Sequence, residues 1–479
     1  MALKFEYNKE ERTATVCGVD DKFCEEIVIP ATVEYYRKDY KVTRIGKEAF
    51  YYYTSLASVT IPNSVKSIGE SAFEGCTLLK EITIPNSVTE IGSHAFDNCT
   101  SLTSVTIGNS VTSIAAKAFA GCKLLTSVTI PDSVTSIGSF AFSGCTSLTS
   151  VTIPNSVTTI GNNPFGFCVN LKEFKGKFVA DNGRCLIKDN TFIAYAAASG
   201  TTYPLPNSVT SIGEGAFANC SSLTSVTIPD SVTSIGSGAF YYCTSLKEVT
   251  IPDSVTEIGN AAFFGCKSLK AFYGKFASAD NCCLILDGVL KYFAPAGLIS
   301  YTIPNGVTSI GGSAFQNCTS LTSVTIGNSV ISIGSHAFDN CTSLTSVTIG
   351  NSVTKIGWST FKGCTSLKEV TIPDSVTLID TGAFSDIPNI KVNICNDKGC
   401  VKIGGGAFEH SAEINYVGKE WVAPKPKTAM KDNADIEKAK AEAEAAKAEL
   451  EAAKAELEAL KKAKADKKIG FFKRLFGKK

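Results

Sequence analysis

Residues Leu102–Cys122 read LTSVTIGNSVTSIAAKAFAGC, and close variants of this stretch recur along most of the 479-residue chain. One copy is too short to bury its own apolar side chains, so the pattern predicts coils that stack into a solenoid. A cysteine closes each copy, and within three runs these cysteines lie 23 residues apart: Cys76, Cys99, Cys122, Cys145 and Cys168, then Cys220, Cys243 and Cys266, then Cys318, Cys341 and Cys364.

Within one copy, Val105 and Ile107 alternate with Ser104 and Thr106, which is the period of a strand with one buried face. The Asn-Ser pair after Gly or Pro favours a turn, and the Val-x-x-Ile stretch that follows is a second extended edge. The segment that ends at Ala-Phe, for example 138–142, is expected to form a short helical turn. The predicted fold is therefore an α/β repeat solenoid, mainly β with short helical turns.

Two cysteine intervals, 168–220 and 266–318, are longer than the others. Each equals one repeat plus an insert, and the two inserts align with each other, so a longer unit has been duplicated. We expect hairpin inserts near 174–205 and 272–303, within a solenoid that spans 41–417. Residues 1–40 lack the repeat and are predicted to form an N-terminal β cap.

The composition favours a single elongated domain with a net charge of +1. A mildly acidic body precedes a basic C-terminal segment, and we predict no nucleic-acid partner. The first twelve residues carry scattered charges instead of the apolar run of a secretory signal. Together with 18 cysteines, interpreted as reduced thiols, this predicts a cytoplasmic protein. A peripheral position at a membrane is left open.

The unit Leu-x-x-Val-x-Ile-Pro-x-Ser-Val-x-x-Ile-Gly-x-x-Ala-Phe-x-x-Cys-x-x resembles the BspA-like leucine-rich repeat, in register from Tyr40 to Glu409. The resemblance implies a right-handed solenoid with a parallel concave sheet, and ligand binding rather than catalysis. Members of this family are often secreted surface adhesins of host-associated microbes. The resemblance therefore gives an alternative location and function, namely a cell-surface adhesin exported without a recognisable signal peptide.

Hydroxyl side chains on the predicted concave strands form a regular polar grid that suits a protein or glycan ligand. The alternative is that threonine and serine simply suit exposed strand positions. The candidate ligand-binding residues are Ser104, Thr106, Ser127, Thr129, Ser150, Thr152, Ser323, Thr325, Ser346 and Thr348.

Aromatic residues in the inserts are a second candidate surface, because such side chains dominate binding hot spots. They could equally fill a small core of the insert itself. The candidates are Tyr195, Tyr203, Tyr273, Tyr292 and Tyr301.

The sequence predicts no catalytic residues, no metal site and no cofactor. It contains no phosphate-binding loop, nucleophile elbow or His-Glu-x-x-His motif. The repeated cysteines follow the inward phenylalanine by three residues, where a thiol acts as a small apolar group. We therefore interpret the cysteines as structural.

Past a linker at 418–430, residues 431–468 carry the heptad pattern of a coiled-coil helix. The same composition also fits a lone helical spacer. The candidate oligomerisation residues are Ile436, Leu450, Leu457 and Leu460.

The last segment, 469–479, is a basic amphipathic tail that suits an anionic membrane surface, a partner protein or its own helix. Its candidate contact residues are Phe471, Phe472, Lys473, Arg474, Leu475 and Phe476. The sequence as a whole predicts a non-enzymatic binding scaffold, clustered by the C-terminal helix.

Overall fold

The computed structural model of the protein describes residues 2–20, 23–397, 399–409 and 411–417. The linker, coiled-coil helix and basic tail predicted for 418–479 lie outside these residues. The described residues form a mainly β solenoid, in which nearly every sheet pairs strands of successive coils in parallel. No helix of the described residues is long and apolar enough to span a lipid bilayer.

The Leu-x-x-Val-x-Ile stretches form one side of the solenoid, here called the first ladder. Most of its inward side chains are buried and most of its outward ones are partly or fully exposed, as the alternating pattern predicts. Most neighbouring strands pair residues 23 apart, for example Val324 with Val347. The strands are Glu26–Val28, Ser58–Thr60, Glu81–Thr83, Ser104–Thr106, Ser150–Ile153, Glu173–Gly176, Thr202–Pro204, Ser225–Thr227, Glu248–Ile251, Ala271–Gly274, Ser300–Thr302, Ser323–Thr325, Ser346–Thr348, Glu369–Ile372, Lys391–Ile394 and Glu413–Tyr416.

The Val-x-x-Ile stretches form a second ladder of mostly two-residue strands. They also pair in parallel, and each isoleucine lies beside the isoleucine of the next coil, as Ile114 does beside Ile137. The strands are Lys38–Ile45, Ser67–Ile68, Glu90–Ile91, Ser113–Ile114, Ser136–Ile137, Thr159–Ile160, Thr191–Tyr195, Ser211–Ile212, Ser234–Ile235, Glu257–Ile258, Val289–Phe293, Ser309–Ile310, Ser332–Ile333, Lys355–Ile356, Leu378–Ile379 and Lys402–Ile403.

The third side of each coil is a ladder of hydrogen-bonded turns. Between Gly69 and Cys76 the backbone N–H groups alternate between two kinds of acceptor. The N–H of Phe73 donates to the carbonyl of Ala95 in the next coil at 2.8 Å. The N–H of Ala72 instead donates to the carbonyl of Gly69, three residues back, at 3.3 Å. This side therefore joins the coils by backbone bonds although it contains no regular strand.

Left-handed residues prevent these turns from becoming helical. Ser71 has φ 52° and Gly75 has φ 74°, and such residues end each turn after four positions. The short helical turn expected at 138–142 is therefore wrong, because Phe140 has φ 58°. In the described residues the single helix is the three-residue 3₁₀ turn Asp181–Gly183, so the fold is mainly β rather than α/β.

The N-terminal residues close the first end of the solenoid. Strand Leu3–Asn8 pairs antiparallel with Thr13–Val19, which pairs in parallel with Lys38–Ile45. A further strand, Thr32–Tyr35, pairs antiparallel with Lys38–Ile45. Because Lys38–Ile45 also begins the second ladder, the first complete coil has a preformed sheet edge to pair with.

Each insert carries an antiparallel hairpin. In the first, Cys185–Lys188 pairs with Thr191–Tyr195 on one side and with Val179–Ala180 on the other. In the second, Cys283–Leu286 pairs with Val289–Phe293. The second strand of each hairpin pairs with the next strand of the second ladder. Among the described residues, no strand of either hairpin pairs with the ladder strand before the insert, so the inserts divide the second ladder into three sheets.

The core contains stacked phenylalanine rings, one from each coil. From Phe50 to Phe165 the successive ring centroids lie between 5.0 and 5.6 Å apart, with planes within 16° of parallel. Similar stacks run from Phe192 to Phe263 and from Phe315 to Phe408. Each ring is thus covered by its counterparts above and below, which no single coil could provide.

The cysteines lie beside this stack and have a structural environment. They are buried and unpaired, and nine thiols donate a hydrogen bond to the carbonyl of the phenylalanine 26 residues earlier, with Sγ to O distances of 3.0 to 3.3 Å. Burial raises the pKa of Cys76 and of Cys168 to about 12. These thiols therefore stay protonated and chemically quiet at neutral pH.

Phe119→Ala is expected to destabilise the solenoid by about 3–5 kcal/mol, because it leaves a cavity between two stacked rings. The rings of Phe96 and Phe142 lie 5.2 and 5.4 Å from that of Phe119. Urea unfolding followed by circular dichroism measures the loss. Thr106→Ala, at an exposed position of the same coil, is the control, and an equal loss in both variants would contradict the stacked core.

The buried thiols also predict an alkaline loss of stability. A folded-state pKa raised from 9.0 to about 12 means that stability is complete below pH 9 and declines as the pH rises toward 12. At pH 10 each such thiol costs about 1.4 kcal/mol. Cys76→Ala should therefore lose less free energy of unfolding between pH 8 and pH 10 than the parent chain. Equal losses would mean that the thiols do not titrate on unfolding.

Candidate functional site

The outward face of the first ladder presents hydroxyl groups in columns along the solenoid. Ser323 lies opposite Ser346, and Thr325 lies opposite Thr348. Neighbouring parallel strands are about 4.8 Å apart, so each column repeats at that spacing. The intervening Val324 points inward and is buried. The result is a two-column polar grid on a rigid backbone.

The structure places all ten predicted ligand-binding residues on this face. Residues 127–129 form no regular strand, yet Val128 is buried between exposed neighbours as in the other coils. Three of the ten serines and threonines are half-buried, and the others are exposed. The half-buried ones are Ser150, Ser323 and Ser346; the exposed ones are Ser104, Thr106, Ser127, Thr129, Thr152, Thr325 and Thr348.

Hydrogen bonding separates these hydroxyls from the other threonines of the repeat. The Oγ1 of Thr103 donates to the carbonyl of Lys80 at 3.1 Å, and the Oγ1 of Thr112 donates to that of Thr89 at 3.1 Å. Equivalent bonds recur along both corners of the solenoid. Within the described residues, by contrast, none of the ten predicted side chains makes a hydrogen bond. Their donors and acceptors therefore face solvent, available to a ligand.

Charged residues interrupt the serine column, and the sequence analysis missed them. Glu81 pairs with Ser104, and Glu248 pairs with Ser225. Farther along, the Oε1 of Glu369 lies 3.6 Å from the Nζ of Lys391. The signal was present in the sequence, because Lys-Glu replaces Thr-Ser before the inward residue of these strands.

The insert aromatics mostly lie inside the protein. Tyr195, Tyr203 and Tyr301 are buried, so these side chains do not offer a surface to a ligand. For these three residues the alternative interpretation applies, in which the aromatic side chains fill a core instead of forming a binding surface. Tyr292 is half-buried and bonded to the backbone at Gly259, which leaves Tyr273, 39% exposed, as the most accessible of the five.

Each insert buries a hydroxyl–thiol pair that replaces the cysteine–carbonyl bond of the regular coils. The hydroxyl of Tyr203 donates to the Sγ of Cys185 at 3.1 Å, and the Sγ of Cys283 lies 3.1 Å from the hydroxyl of Tyr301. Burial raises the pKa of Cys185 to about 11 and the pKa of Tyr203 well above its ordinary value. Both groups are therefore neutral, which suits packing and not nucleophilic chemistry.

Comparison with known protein families matches six copies of the BspA type leucine rich repeat region. The matched segments are residues 42–175, 186–277 and 290–415. A comparison with curated proteins finds no match.

Solved structures similar to the chain include bacterial leucine-rich repeat proteins. A leucine rich cell surface protein from Faecalibacterium prausnitzii is 29% identical, over 85% of this chain and 93% of that one, with a TM-score of 0.41. A leucine-rich repeat protein from Bacteroides ovatus is 26% identical, over 87% and 98%, with a TM-score of 0.38. One from Eubacterium ventriosum is 23% identical, over 90% and 96%, with a TM-score of 0.47.

These findings correct the predicted location. The cytoplasmic prediction is wrong, because the matched repeats are of the BspA type, which is a type of cell-surface protein. The prediction relied partly on interpreting the cysteines as reduced thiols. Thiols that are buried and held by backbone carbonyls resist oxidation in any compartment, so they do not report on location.

The family assignment rests on the repeat itself. The matched segments cover more than half of the chain, and they follow the strands of both ladders from the first complete coil to the last. The matched segments contain the buried leucine, valine, isoleucine, phenylalanine and cysteine columns. The chain belongs to the family of proteins with BspA type leucine-rich repeats.

Proposed function

We propose that this chain is a non-enzymatic cell-surface binding protein of the adhesin type, whose first ladder binds a protein ligand. The observation that carries the proposal is the set of exposed hydroxyl columns that make no hydrogen bonds within the described residues. Hydroxyls both donate and accept, so they can match the mixed polar groups of a protein surface. A rigid grid also loses little conformational entropy when it binds.

The charge pattern of the first ladder supports a protein ligand over a uniformly charged polymer. Glu81 and Glu248 each pair with an uncharged serine, whereas Glu369 pairs with Lys391. Lys175 lies on the same face. A nucleic acid would require a continuous basic surface. Scattered charges of both signs instead give complementarity to a particular partner surface.

Clustering of copies would strengthen such binding. The heptad positions Ile436, Leu450, Leu457 and Leu460 support self-association, and the basic segment 469–479 supports contact with an anionic surface or a partner. Both proposals lie outside the described residues. Several copies held together would convert weak single contacts into a strong overall attachment.

Lysine substitutions on the first ladder test the binding face. The double variant Thr325→Lys and Thr348→Lys should lower retention of the chain on immobilised extracellular proteins by at least about tenfold, since two bulky charges interrupt the hydroxyl columns. The assay uses a panel of purified extracellular proteins beside a panel of free glycans.

The control is Ile331→Lys, which places one such charge on another side of the coil that contains Thr325, at a side chain that is 52% exposed. The control should bind as the parent chain does. Equal losses in both variants, or retention on the glycan panel alone, would contradict a protein ligand on the first ladder.

Surface labelling tests the proposed location. Intact native cells treated with a protease or with a membrane-impermeant biotin reagent should yield a cleaved or labelled chain, because the solenoid would lie outside the membrane. A cytoplasmic marker protein must stay intact in the same sample. Modification of this chain after lysis alone would remove the proposal.

A further inference from the structure

We propose that Glu74, His94 and Asp97 form a Zn²⁺ site that joins two successive coils on the turn side of the solenoid. One ligand atom from each of the three side chains lies within 4.8 Å of the other two. The Nδ1 of His94 is 2.8 Å from an oxygen of Asp97. One imidazole nitrogen and two carboxylate oxygens are a ligand set that zinc accepts, with water in the fourth position.

The turn ladder brings the three groups together. Glu74 and Asp97 occupy the same position in successive coils, and the N–H of Gly75 donates to the carbonyl of Asp97 at 2.8 Å. His94, three residues before Asp97, is one of the left-handed residues, with φ 57°. The two carboxylates and the imidazole are therefore positioned by backbone bonds that every coil makes.

Other contacts hold the carboxylates in place but do not neutralise them. The Oγ of Ser71 donates to an oxygen of Glu74 at 2.6 Å. Asp97 is largely buried, and burial raises its pKa, while the nearby His94 and Lys117 lower it and Glu74 raises it. The ammonium of Lys117 forms no ion pair with either carboxylate within the described residues. Two carboxylates thus share one imidazole, an arrangement that a divalent cation stabilises.

A second copy of the arrangement, 242 residues later, has a neutral glutamine in place of the glutamate. Gln316, His336 and Asp339 occupy the positions of Glu74, His94 and Asp97. The Nε2 of Gln316 donates to the Asp339 oxygen that also lies 3.0 Å from the imidazole. The amide thus supplies the positive hydrogen that a glutamate cannot donate, so the second copy needs a cation less than the first.

In the second copy, one of the two carboxylate oxygens of the aspartate has no partner among the described residues. Asp339 is only 6% exposed, and its Oδ1 has no hydrogen-bond partner among the described residues. A buried carboxylate oxygen without a donor is costly. A water molecule would satisfy this oxygen of the second copy, which neither Gln316 nor His336 reaches.

The geometry requires a small adjustment to bind the metal. Zinc–ligand bonds of about 2.0–2.2 Å place tetrahedral ligand atoms about 3.3 Å apart. The imidazole–carboxylate pair is already closer than that, and the half-buried Glu74 side chain can approach by rotation. Because Glu74 lies in one coil and the other two ligands in the next, the ion would link neighbouring coils.

Histidine NMR gives a direct readout, because the chain contains only three histidines. The full chain, labelled at histidine and with accessible thiols alkylated, is titrated with ZnCl₂. We expect stoichiometric zinc to shift the His94 ring signals while those of His336 change little. Signals are assigned with His94→Gln and His336→Gln. Unchanged His94 signals, with the hydrogen bond to Asp97 retained, would identify a simple ion pair and overturn the proposal.

Exchanging the two copies sharpens the test. Glu74→Gln should weaken zinc binding at His94 at least tenfold, and Gln316→Glu should create a zinc response at His336. The thermal midpoint of the parent chain should rise with zinc, and this rise should disappear in Glu74→Gln. If Glu74→Gln binds as the parent chain does, Glu74 is not a ligand and the site does not exist as proposed. None of these outcomes depends on the proposed adhesive function.

Discussion

The structure depends on backbone hydrogen bonding that holds most coils at a constant offset of 23 residues. This register places each residue beside its own equivalent, as with Val324 and Val347 or Ile114 and Ile137. A residue type can therefore fill a column only if it tolerates a copy of itself as neighbour. Aromatic rings, thiols and hydroxyls do so, whereas like charges directly opposite each other are destabilising. The columns of the core and of the first ladder accordingly consist mainly of Phe, Cys, Ser and Thr, and first-ladder glutamates such as Glu81 pair with uncharged or oppositely charged residues. Glu74 and Asp97 on the turn side are an exception.

The same constraint explains why so much could be predicted. Because every coil repeats the same pattern of residue types, the alternation around Val105 predicts the first ladder in all coils. The position of Phe119 predicts the ring stack in the same way. The hydroxyl face follows from the alternation as well. The sequence does not show which hydroxyls are hydrogen-bonded, because Thr103 and Thr106 are the same residue type. They differ only in the position of the carbonyl in the neighbouring coil, which accepts a bond from Thr103.

The errors come from contacts that periodicity does not describe. The expected helical turn at 138–142 failed because left-handed residues such as Phe140 direct alternate N–H groups to the next coil, and phenylalanine gives no sequence signal for that conformation. In the sequence Tyr203 resembles an aromatic residue of a binding surface. In the structure its ring packs in the core against Phe217, next to the insert that interrupts the phenylalanine stack. The Glu74 cluster was missed because its members come from different coils and only stacking unites them.

Uniform columns also limit what the proposed binding surface could recognise. A ligand that contacts identical hydroxyls could shift along the axis by one coil and make the same contacts again. Such degeneracy favours adaptable attachment and weakens specificity. The charged residues in the serine column remove this degeneracy, because Glu248 or the Glu369–Lys391 pair makes one coil different from its neighbours. Coils that depart from the repeat therefore provide the specificity of the proposed surface. The turn side follows the same rule, since Glu74 and Gln316 differ at equivalent positions.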